Sequence, residues 1–93
     1  MRLKDFERAA ITSAVKCFDP NAFVYLFGSR VDDSKKGGDI DLLVISGIIT
    51  RDDKRKIKLK LYESIGEQKI DIVLAADNSE PFVKLALEKG VEL

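Results

Sequence analysis

The sequence predicts an α+β fold: a small mixed β-sheet with flanking helices, in the order α-β-β-α-β-α. Three observations carry that expectation. Short apolar runs at 23–27, 40–46 and 69–75 read as strands. Stretches before, between and after them place apolar residues at helical spacing. Asp19-Pro20-Asn21, Gly66, Pro81 and Gly90 punctuate the boundaries.

Residues 4–18 set Phe6, Ala10, Ala14, Cys17 and Phe18 at helical spacing, and Asp19-Pro20-Asn21 stops that helix. Phe23 to Phe27 is continuously apolar, hence a buried strand, and Gly28 ends it. Residues 30–38 carry Arg30, two aspartates, two lysines and Gly37-Gly38, the composition of a flexible loop. Ile40 to Ser46 is apolar on both faces beyond its carboxylates, which predicts a central strand. Thr50 with Asp53 three residues on resembles a capping box. Ile57, Leu61 and Ile65 follow as an apolar stripe ended by Gly66. Lys69 to Ala75 is a third strand. Ser79 and Pro81 start a short helix carrying Phe82, Leu85 and Ala86, closed by Gly90.

At 93 residues the chain reads as one domain spanning 1–93, near the small end of self-sufficient folds. Sixteen basic and sixteen acidic residues cancel, so no global charge draws it to nucleic acid or membrane. The chain has no histidine, which excludes Ser-His-Asp triads, His-ligated zinc and a histidine base; acid-base work falls to carboxylates. Cys17 is the lone cysteine and forms no internal disulfide, which fits a reducing compartment; it is expected as a buried apolar thiol. Met1 to Arg8 is charged and lacks a signal-peptide core, and no apolar run approaches membrane-spanning length. The expected location is cytoplasmic.

Residues 27–42 carry the chemistry. Asp39 and Asp41, spaced i and i+2, project to one side of a strand, with Ile40 turned the other way. Such carboxylates repel unless a cation lies between them or one takes a proton. A lone Asp-x-Asp is commonly just a turn or strand start. Asp71, between Ile70 and Ile72, repeats the anomaly in the third strand, and buried acids need a partner or a metal. An antiparallel 23–27/40–46 pair followed by a helical crossover to a parallel 69–75 strand would bring all three acids and Gly28-Ser29 to one sheet end. Hard cations such as Mg²⁺ favour such oxygen ligands and bridge to phosphates. Gly28-Ser29 reads either as a simple turn or as a phosphate cradle, and Arg30 either as a solvent-facing residue or as a triphosphate contact. Lys35 and Lys36 read first as solubilising charges. No P-loop or dinucleotide motif is present. The basic run Lys54 to Lys60 is most simply the solvated face of a helix, and Tyr25 and Tyr62 make no stacking platform by spacing, so direct nucleic-acid binding has little support.

Phe27-Gly28-Ser29, nine intervening residues, then Asp39-Ile40-Asp41-Leu42 resembles the nucleotidyltransferase pattern of the DNA polymerase beta superfamily. The small size and a closing segment, Leu87 to Val91, resemble the minimal nucleotidyltransferases that are commonly encoded beside a helical HEPN-domain protein in toxin–antitoxin pairs. The resemblance implies a polymerase beta palm-like fold. It implies that Asp39 and Asp41 bind two Mg²⁺ ions, and that Asp71 completes the metal site and helps deprotonate the acceptor hydroxyl. Gly28 and Ser29 would hold the nucleotide phosphates, and Arg30 matches a residue common in the minimal branch. It further implies ATP as substrate and transfer of AMP to a tyrosine of the HEPN partner, an antitoxin acting by AMPylation. The expected acceptor site is shared with a partner or a second copy, or the acceptor is itself a protein surface. Two alternatives stand beside it: a non-catalytic nucleotide-binding antitoxin that masks its partner, and the nucleotide-binding subunit of a two-chain transferase acting on a small molecule.

Overall fold

In the computed structural model, which describes residues 3–31 and 38–93 (Ser29 by its backbone alone), the three apolar runs become strands. They are β1 (Phe23–Phe27), β2 (Ile40–Ile45) and β3 (Ile70–Ala75). The helices are α1 (Asp5–Phe18), α2 (Arg51–Ile65) and α3 (Pro81–Lys89). The predicted α-β-β-α-β-α order is present. A 3₁₀ turn, Gly28–Val31, follows β1, and Val91–Glu92 adds a fourth strand, β4. The middle of the predicted 30–38 loop, with Lys35, Lys36 and Gly37, lies outside the described residues.

The sheet runs β3-β2-β1-β4 and is mixed. β1 and β2 are antiparallel, with Phe27 opposite Asp41. The α2 crossover makes β3 parallel to β2, with Asp41 opposite Asp71. β4 lies antiparallel on β1, Val91 opposite Leu26, and the Leu93 N–H donates to the Val24 carbonyl at 2.9 Å. Two residues with one apolar member carry no periodic signal, so this edge is invisible to pattern reading.

Strand alternation splits the core. Ile40, Leu42 and Val44 of β2 pack with Ile11 and Val15 of α1 and Ile57 and Leu61 of α2. Leu43 points the other way and joins Ala75, Val83 and Ala86 under α3. β2 is therefore covered on both faces, as its composition requires. At the start of α2, Asp53 N–H donates to Thr50 Oγ1 and Thr50 N–H to Asp53 Oδ2, both at 3.1 Å, so two of the helix's unpaired amides are satisfied reciprocally. Among the described residues no helix is long and apolar enough to cross a membrane.

Two helix faces differ from expectation. α1 buries Glu7, Ile11, Ala14 and Val15, while Phe6 and Cys17 are exposed. Two overlapping stripes fit a 3.6-residue period here, and the one carrying the β-branched Ile11 and Val15 meets the sheet. Cys17 is thus not the buried thiol its residue type suggests. In α3 the buried pair is Val83 and Ala86, whereas Phe82 and Leu85 remain 46% and 57% exposed. Phe82 is held by an edge-on contact with Phe27, ring centroids 5.8 Å apart. The predicted start of α3 also shifts: Ser79 turns back to Asp77, and Pro81 opens the helix without a side-chain cap.

Candidate functional site

Where β1 ends and β2 and β3 begin, one sheet end collects the polar residues that the strand interiors exclude. Asp41 faces Phe27 on one neighbour and Asp71 on the other. Paired positions share a face, so Asp41 and Asp71 project together, on the side where Leu43 packs against α3. Asp39, two residues before Asp41, alternates to that same side. α3 packs over Leu43 and reaches Phe27 through Phe82, while Asp71 on the edge strand stays exposed.

Gly28 turns the chain immediately after Phe27 with φ +77°, in the left-handed region. A Cβ at this position would run into the carboxylate of Asp41. Glycine therefore serves twice: it permits the turn, and it leaves the space beside Asp41 clear.

The electrostatics follow from this crowding. Asp41 is half-buried, and its carboxyl is pushed above the ordinary aspartate range by burial first, then by the negative charges of Asp71 and Asp39. Lys69 opposes the shift. Its Nζ lies 3.5 Å from Asp39 Oδ2, with most of the lysine side chain in solvent. Asp71 is exposed rather than buried, because β3 is an edge strand and Asp71 stands at its first turn of pleat.

The three acids thus share one end and one face, yet they are not drawn onto a single point. Among the described residues, no three His, Cys, Asp or Glu side chains are gathered so as to hold a metal ion as they stand. The donor chemistry itself suits a hard divalent cation: carboxylate oxygens only, beside a glycine that leaves Asp41 accessible.

The Ser29 side chain lies outside the described residues. Arg30 is engaged within the fold: its Nε donates to the Gly38 carbonyl and its Nη2 to Gln68 Oε1, each at 3.3 Å. Sequence reasoning missed Lys69, Gln68 and Glu7. Lys69 stands two residues before Asp71, the same spacing that drew notice to Asp39 and Asp41. Glu7 falls in step with Ile11 and Val15, an acid within an apolar stripe.

Other candidates lie apart from this end. Within the basic run, Ile57 is buried while Arg55, Lys56 and Lys60 are exposed, and Asp52 pairs with Arg55 at 2.6 Å and Lys56 at 3.5 Å. Tyr25 packs on the α3 side of the sheet and Tyr62 on the side of α1 and α2, so they share no platform.

A sheet end with paired carboxylates, a glycine turn and a guanidinium has the means to place a polyphosphate beside a cation. The family model described as Polymerase beta, Nucleotidyltransferase matches residues 10–93, a span that includes the glycine turn and all three acids. No curated protein matches the chain.

Proposed function

Because the chain belongs to the polymerase beta nucleotidyltransferase family, we propose that it transfers AMP from ATP to a hydroxyl, a tyrosine on a helical HEPN-domain protein encoded beside it. The observation that carries this reading is the cross-strand alignment of Asp41 with Asp71 directly beside Gly28. A purely structural pair of acids gains nothing from sharing a face with a third, and like charges directly opposite each other destabilise a sheet.

Asp39, Asp41 and Asp71 are the residues that would hold Mg²⁺. Bound there, divalent cations supply charge neutralisation for the attacking and leaving oxygens of an in-line displacement. Gly28 and Ser29 then present the turn to the triphosphate, and Arg30 sets that turn against the start of β2. Asp71 would accept the proton of the incoming hydroxyl, a role its exposure supports beside the intermediate burial of Asp39 and Asp41. The exposure of Asp71 supports an acceptor carried by another chain. The minimal-family resemblance supports the HEPN partner and the antitoxin role.

Incubation with labelled ATP, Mg²⁺ and the neighbouring gene product tests the reading, with Asp41→Asn as control. Label on the partner with the wild-type chain, and none with the variant, is the expected result. No label on any partner, or equal label with Asp41→Asn, overturns transfer. Silencing of the partner without label indicates masking instead.

A further inference from the structure

We propose that Glu7 and Gln68 are positioning residues for the nucleotide turn, acting through a hydrogen-bond relay that runs from α1 to Arg30. The inference rests on the nucleotidyltransferase reading for what the turn binds, and it adds residues that reading does not use.

Glu7 is only 4% exposed, in a helix whose other buried residues are apolar. A carboxylate so placed is costly unless its oxygens are satisfied. Both are. Oε1 accepts from the Lys4 N–H at 3.0 Å, and Oε2 accepts from Gln68 Nε2 at 2.7 Å. Gln68 Nε2 also donates to the Ile65 carbonyl at 3.0 Å, which fixes the orientation of the amide. Its Oε1 is thereby turned to Arg30 Nη2, 3.3 Å away. Arg30 in turn donates from Nε to the carbonyl of Gly38. The residue after Ser29 thus grips the residue before Asp39, and α1 reaches it through Gln68, which lies 61 residues from Glu7 in sequence.

A helix cap alone does not explain this arrangement. Capping needs only the local Lys4–Glu7 bond, whereas the second oxygen of Glu7 is committed to Gln68. Burial pushes the Glu7 carboxyl up, but the Gln68 bond, the Lys4 N–H and the charges of Arg30 and Lys4 together bring it below the usual glutamate range. Arg30 is engaged elsewhere as well, and the relay adds to those contacts.

The chemistry of the relay dictates its own test. In Gln68→Glu two carboxylates face each other. In Glu7→Gln the new amide must keep its oxygen toward Lys4, so its nitrogen meets the Gln68 nitrogen, donor to donor. The double variant Glu7→Gln/Gln68→Glu restores donor to acceptor between positions 7 and 68 and leaves a carboxylate oxygen for Arg30, while giving up the bond to the Ile65 carbonyl. Each single variant should raise the KM for ATP about fivefold, the scale of one hydrogen bond, with a smaller change in kcat. Amide exchange at Gly28 to Arg30, measured in the nucleotide-free protein, should rise by a similar factor. The double variant should recover part of both losses relative to either single variant, a coupling a merely structural pair would show in melting alone. Wild-type KM and exchange in the single variants overturn the relay, as does a double variant no better than either single. A wild-type chain that neither binds nor turns over ATP overturns the nucleotidyltransferase reading, while the exchange pattern still decides the relay.

Discussion

At Gly28 two constraints coincide that are usually met by different residues. The backbone takes a positive φ that L side chains rarely adopt, and the volume a Cβ would fill is already held by the Asp41 carboxylate. Gly28→Ala should therefore cost about 1–3 kcal/mol of stability. It should also displace Asp41 enough to lower transfer about a hundredfold, the scale of an ångström's misplacement in a catalytic group. Urea midpoints and initial rates on the same preparation check both; rates near wild type would sink the role given to this contact. Gly28, Asp39 and Asp41 were legible in the sequence because they lie in one stretch, where spacing alone states their relation. Asp71 required the parallel crossover to be inferred first. Gln68 was not legible, since its partners lie on other elements; Glu7 and Lys69 carried a faint signal, an acid in step with Ile11 and Val15 and a lysine two residues before Asp71, but their partners too lie on other elements.

Among the elements, strands were easier to read than helix faces. β1 matches its apolar run residue for residue, and β2 and β3 differ from theirs by one residue at an end. Short apolar runs bounded by glycine or polar residues leave little freedom in placing such strands. α1 and α3 were correctly located but misphased, because each carries more apolar residues than one face can bury. In α3 the difference is measurable. Leu43 of β2 is fully buried against Val83 and Ala86, so Leu43→Ala should cost about 2–5 kcal/mol. Phe82→Ala removes a half-exposed ring with one aromatic contact and should cost about 1 kcal/mol. Equal losses in chemical denaturation would contradict the observed phase of the helix.

For the whole molecule, acid is the condition that probes the α1 relay. Glu7 is held ionised below its ordinary range, so the stability it contributes is complete above about pH 4.5 and drains away as the pH falls through its folded-state value. Asp41 has the opposite sign: its carboxyl is raised, and its unfavourable ionisation is relieved on acidification. Glu7→Gln should therefore be less stable than wild type near neutrality by about 1 kcal/mol. Its urea midpoint should fall less steeply than the wild type's between about pH 5 and about pH 3. Parallel curves for the two proteins would show that Glu7 carries no linked stability.

The parallel pairing of β2 with β3 has one more consequence. Side chains repeat every two residues, so a slip of one position would carry Asp71 to the face occupied by Ile57 and Leu61, and would take Ile70 and Ile72 out of that core to the opposite face. A chain with misaligned acids would therefore also be a chain with a broken core. Insertions or deletions between α2 and β3 that preserve folding must preserve the Asp41–Asp71 alignment, so proofreading of the fold guards the alignment of the acids as well.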